Sequence, residues 1–126
     1  MTQEMALLVL SWQVACLYHD KENDTLLPGA TSATQAESDE LDKIHDEKVP
    51  EVSWDEFNDV YGSFQTAAGR ARACVSALEK SKQEFKQLVV ECMTRIAAAS
   101  EEDDNDSNIS AEEQTFIDQM KKALGL

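Results

Sequence analysis

FNDVYGSFQTAAGRARACVSALEKSKQEFKQLVVECMTRI, residues 57–96, is the stretch that decides the fold. A seven-residue recurrence runs through it: Phe57, Phe64, Ala71, Leu78, Phe85, Cys92. Tyr61, Ala68, Val75, Val89 and Ile96 complete an a/d-like stripe, broken at Lys82. A period near 3.5 is helical, so the stripe predicts the core-facing side of a helical bundle, in preference to a free coiled coil. Gly69 and Ser81 are candidate breaks. The recurrence favours continuity through both.

On either side, capping boxes punctuate the chain. In such a box a Ser or Thr side chain accepts from the backbone N–H three residues on, and a Glu there reaches back. Thr34/Glu37, Ser53/Glu56, Ser81/Glu84 and Ser110/Glu113 have this spacing. Ser53 carries the strongest signal, because Val52 and Phe57 can form a hydrophobic staple across it and Pro50 suits a helix boundary. The pattern predicts helices over 3–19, 34–47, 53–67, 70–80, 82–99 and 111–124. The last helix would bury Phe116, Ile117, Met120 and Leu124. Gly125 makes a C-terminal stop, and Lys121 and Lys122 suit the negative end of the dipole. Residues 20–33 and 100–109 read as mobile acidic loops.

Two segments repeat. Residues 7–24 align with 89–106 at a constant shift of 82 positions, each an apolar helix followed by an acidic loop. Asp20, Glu22 and Asp24 fall on Glu102, Asp104 and Asp106. The repeat predicts two similar halves packed around the 57–96 stripe, within one domain spanning 1–126.

Composition narrows the function. The chain has 126 residues, a formal net charge of −14, and only four Gly and two Pro. Few glycines, prolines and β-branched runs exclude a sheet-rich fold. The charge disfavours nucleic acid and anionic membranes and favours cations or basic protein surfaces. Cys16, Cys74 and Cys92, odd in number and widely spaced among apolar residues, predict reduced buried thiols and a cytoplasmic setting. The start shows no basic n-region, with Gln3 and Glu4 in its place, and the apolar run from Met5 to Leu10 is interrupted by Ser11 and Gln13, too soon to span a membrane.

Catalysis has little support. His19 and His45 have no partner at metal or triad spacing, and there is no Gly-rich phosphate loop. Trp12 and Trp54 read as core anchors. The candidate site residues are acidic: Asp20, Glu22, Asp24, Glu102, Asp104, Asp106 and Glu113. Carboxylates at alternate positions are how calcium-binding loops begin, so a calcium or magnesium ion is the candidate ligand. The second loop resembles an EF-hand, with Ile109 at the central aliphatic position and Glu113 at the bidentate one. It departs with Ser107 where Gly makes the turn and Glu102 where Asp is usual. In the first loop Thr31 stands at the bidentate Glu position.

A second resemblance covers more of the chain. Ile96-Ala97-Ala98-Ala99, an acidic loop, Ile109-Ser110-Ala111-Glu112-Glu113, Phe116-Ile117-Asp118 and Ala123-Leu124-Gly125-Leu126 are similar to the TerB-like helical domain. That domain occurs in tellurite-resistance operons and in a membrane-anchored co-chaperone. The family's Asp-Gly turn is replaced here by the longer stretch 103–108. The first unit, opening at 7–17, has diverged further, leaving Glu37 or Glu40 as its Glu. The resemblance implies a non-enzymatic stress-response module that acts through protein partners, some at the membrane, with acidic loops able to take a divalent metal. The alternatives are an acidic inhibitor or immunity protein masking a basic partner, and a degenerate EF-hand. The fold expected throughout is all-α, a bundle of about six helices.

Overall fold

The computed structural model describes residues 1–16, 35–99, 109 and 111–126. Among them are six helices and no strand: α1 Gln3–Ala15, α2 Gln35–Lys48, α3 Trp54–Tyr61, α4 Ala67–Leu78, α5 Gln83–Ala98 and α6 Ala111–Ala123. The all-α expectation holds.

The centre is α1. Its residues Met5–Leu10 are apolar on every side, and a helix apolar all round must be enclosed. Ten of its thirteen residues are buried, and it touches each of the other five helices, α5 most extensively. Thr2 opens it, its hydroxyl accepting from the Met5 N–H at 3.1 Å. Ser11, wholly buried, donates to the Leu7 carbonyl at 2.6 Å, so its hydroxyl is satisfied within its own helix. The core is therefore built around α1 as much as around the 57–96 stripe.

The described part of the sequence repeat has a counterpart in packing. At the same shift of 82, Leu7, Leu10, Ser11, Val14 and Ala15 correspond to Val89, Cys92, Met93, Ile96 and Ala97, and all ten are buried. The repeated helices α1 and α5 are thus each other's main packing partner. Residues 17–34, 100–108 and 110, which include both acidic loops, lie outside the described residues.

The stripe is not one helix. α3 ends at Tyr61 with Gly62 as its cap, and Phe64 sits half-buried in the turn that follows. Thr66 then caps α4, its hydroxyl accepting from the Gly69 N–H at 3.0 Å. Gly69 is therefore in the first turn of a helix, not at a break. A Cβ there would come within 3.1 Å of the Thr66 hydroxyl oxygen. At the second candidate break the chain does turn, but Ser81 does not cap. Its hydroxyl donates to Gln3 Oε1 at 2.7 Å, and Lys82 begins α5 without a side-chain cap. Phe57, Tyr61, Ala71, Leu78, Val89, Cys92 and Ile96 of the stripe are buried, whereas Ala68 is exposed.

At Ser53 the expected N-cap forms. Ser53 Oγ accepts from the Glu56 N–H at 3.3 Å, and Val52 and Phe57 are both buried beside it. At the chain's end Gly125 adopts a left-handed φ of 78°, which only glycine takes freely, and stops α6.

Candidate functional site

Between α4 and α6 the described residues leave an open groove of about 1140 Å³. Neither helix packs extensively on the other. Each leans instead on α1, and α6 also on α5. The floor is apolar: Ala71 and Val75 on one side, Phe116 and Met120 on the other. Above it run exposed Arg72, Ser76 and Glu79 on α4 and exposed Glu112 and Gln119 on α6, with half-buried Lys86 of α5 beside them. Ala67, Ala68 and Ala71 keep the α4 wall thin. The volume slightly exceeds the roughly 300–1,000 Å³ of sites for small organic ligands, and the groove is open along its length.

Gln13 of α1 lies at the base of the groove, 1% exposed. Its Oε1 accepts from Arg70 Nε at 2.8 Å, and its Nε2 donates to the Ala67 carbonyl at 3.1 Å. Arg70 is wholly buried, and its guanidinium lies 4.0 Å above the centre of the Tyr61 ring. Charge–π attraction strengthens when the cation is desolvated. Tyr61 is stacked at 5.7 Å on Phe57, which meets Trp54 edge-on at 5.4 Å, and Trp54 lies 4.5 Å from His45. A continuous line of rings thus links α2 and α3 to the cation under the α4 wall. His45, buried, donates from Nε2 to the Val52 carbonyl at 2.7 Å and closes the turn between α2 and α3. It serves the fold there.

Arg95 bridges α5 to α2, with Nη2 2.6 Å from Glu40 and Nη1 3.2 Å from Glu47. None of the three cysteines is in a disulfide, and all three are buried. Burial pushes the Cys74 thiol up to about 12 and the Cys92 thiol up to about 11, with Arg70 and Arg95 respectively opposing the shift. Thiols held protonated this firmly are poor nucleophiles.

Of the residues expected to bind metal, Asp20, Glu22, Asp24, Glu102, Asp104 and Asp106 lie outside the described residues. Glu113 is half-buried on α6. Among the described residues no group of three or more His, Cys, Asp or Glu could hold a metal ion. No helix among them is long and apolar enough to cross a membrane.

Comparison with protein-family models, curated proteins and solved structures gives no match. The groove and the Gln13–Arg70 contact beneath it were not anticipated from the sequence. Arg70 lies beside the stripe position Ala71 and belongs to neither of the two series, so the periodicity gave no sign that it would be buried.

Proposed function

We propose that this chain is a non-enzymatic interaction module of the TerB-like kind, cytoplasmic and active in a stress response, which takes a helix of a protein partner into the groove between α4 and α6. One observation carries the reading: an apolar floor that the described residues leave uncovered between two helices, with polar ridges along both walls. Amphipathic helices dock in grooves of this form, their apolar residues inserting at helical spacing. The matched inner faces of α1 and α5 support the two-unit organisation that the family resemblance implies. In this reading Asp20, Glu22, Asp24, Glu102, Asp104, Asp106 and Glu113 offer weak calcium or magnesium binding, with affinity near 10⁻⁴–10⁻³ M, roughly that of weak calcium modules.

The test is a titration of the isotope-labelled protein with synthetic amphipathic helices, following backbone amide shifts. Shifts confined to α4, α6 and Gln13, and lost in Ala68→Trp, are the expected result. That substitution fills the groove from an exposed position. Shifts centred elsewhere, or none, overturn the docking reading.

A second reading has its own observation. Residues 35–59, which include α2 and α3, carry ten acidic side chains against two lysines. That surface suits a protein masking a basic partner, and its binding would weaken steeply with salt.

A further inference from the structure

We infer that the groove's occupant is an amphipathic helix bearing, beside its apolar stripe, one acidic and one basic residue about seven positions apart. The inference rests on the docking reading above and names its partner.

Arg72 and Glu79 stand on the same wall, both exposed, seven residues apart on α4. Seven residues are two turns, roughly 10.5 Å along the axis. Lys86 and Glu112 add one more charge of each sign at the rim. Among the described residues the charged lining of the groove therefore sums to zero, although the chain as a whole carries −14. A uniformly basic helix, which the net charge alone would select, gains at Glu79 and is repelled at Arg72. A uniformly acidic helix has the reverse problem. A helix with opposite charges at the same two-turn spacing satisfies both positions, and its own rise per residue matches that of α4.

The probes are three synthetic sixteen-residue helices with one shared Leu/Ala stripe. They differ only at two flanking positions seven apart: Glu with Lys, Lys with Lys, or Glu with Glu. Binding is read by fluorescence anisotropy at physiological salt. On the native protein the mixed peptide should bind about five- to tenfold more tightly than either uniform one, since two exposed ion pairs replace one pair and one repulsion. Arg72→Glu should move the preference to the Lys/Lys peptide, and Glu79→Lys to the Glu/Glu peptide. Both positions are exposed, and circular dichroism checks that each variant stays helical. If the Lys/Lys peptide binds the native protein best, or the ranking ignores Arg72→Glu, the charge rule falls. Docking itself survives that result as long as Ala68→Trp still abolishes binding. If no peptide binds in a manner sensitive to Ala68→Trp, or a fluorescent fatty acid displaces all three, the docking reading falls as well.

Discussion

At the scale of single residues, Arg70 and Gln13 show how a charge is carried inside this protein. A buried guanidinium costs several kcal/mol to desolvate unless hydrogen bonds and an aromatic face offset the loss. Gln13 supplies an acceptor at 2.8 Å and Tyr61 the ring. Gln13→Leu removes the acceptor while keeping the volume. It should destabilise the protein by about 2–3 kcal/mol, the range for hydrogen bonds to charged groups. Replacing the cation as well, in Gln13→Leu/Arg70→Met, should recover part of that loss, because it removes the charge that Gln13 no longer satisfies. Urea unfolding of the two variants and the parent protein checks both outcomes. A loss under about 0.5 kcal/mol for Gln13→Leu would place the contact among ordinary surface effects. The thiols give a pH prediction at the same scale. Burial raises the Cys74 thiol to about 12 and the Cys92 thiol to about 11, against 9.0 for an exposed thiol. A raised folded-state value means that stability is fully present below pH 9 and is lost as pH climbs through the raised values. The unfolded chain releases its protons first, so each thiol contributes a loss of about 1.4 kcal/mol per pH unit above 9. Denaturant melts at pH 8 and pH 10 should show the loss, and a Cys74→Ala/Cys92→Ala variant should show a shallower one. Equal slopes for the two proteins would mean that other groups govern the alkaline limit.

Among the described helices, α3 is the shortest, at eight residues, too few to persist without its caps. Ser53, the Val52–Phe57 staple and the His45–Val52 hydrogen bond fix its start. Ser53→Ala should cost about 1 kcal/mol, and Ser53→Gly only a few tenths, since glycine tolerates the extended cap backbone. Thermal melts of the two variants, compared side by side, test whether the cap or the staple dominates. Equal losses would assign the start of α3 to the staple. The element scale also shows what the sequence made legible. The 3.5 period marked the inward face correctly at Phe57, Tyr61, Ala71, Leu78, Val89, Cys92 and Ile96, because burial follows periodicity whichever helix a residue belongs to. It could not mark helix ends, since local capping decides them. Gly62 closes α3, and Thr66 reopens the chain as α4 without disturbing the register. Ser81 read as a cap because its spacing to Glu84 was right, but Gln3, far away in sequence, took its hydroxyl. The groove was legible only as composition. Phe116 and Met120 were apolar at helical spacing, and nothing local could tell that α6 would leave part of that face open toward α4. Arg70 was illegible for the same reason, since its partners Gln13 and Tyr61 come from two other elements.

Across the whole molecule, the charge is divided unequally. Residues 35–59 carry ten acidic side chains and two lysines, whereas 67–99 and 111–126 together carry six acidic and eight basic ones. Arg95 ties the two regions through Glu40 and Glu47, but Asp42, Glu51 and Asp59 on the acidic side remain exposed. Self-repulsion of such a surface opposes the compact state and acts over a Debye length, about 30 Å at 10 mM salt and about 8 Å at 150 mM. Stability should therefore rise as sodium chloride is raised through that range, seen as an upward shift of the thermal midpoint. The variant Asp42→Asn/Glu51→Gln/Asp59→Asn should start higher at low salt and respond less. A midpoint that falls with salt would mean that ion pairs such as Arg95–Glu40 outweigh the repulsion. The same division separates the two surfaces functionally. A basic partner held by α2 and α3 should lose affinity steeply over this salt range, because its contacts are of one sign. A helix held in the groove should lose little, because the rim charges cancel and the apolar floor does not respond to ionic strength at these concentrations. Measuring one association at 10 mM and again at 150 mM salt therefore assigns it to a face before any residue is changed. An affinity unaltered over that range in a complex that Ala68→Trp leaves intact would fit neither surface.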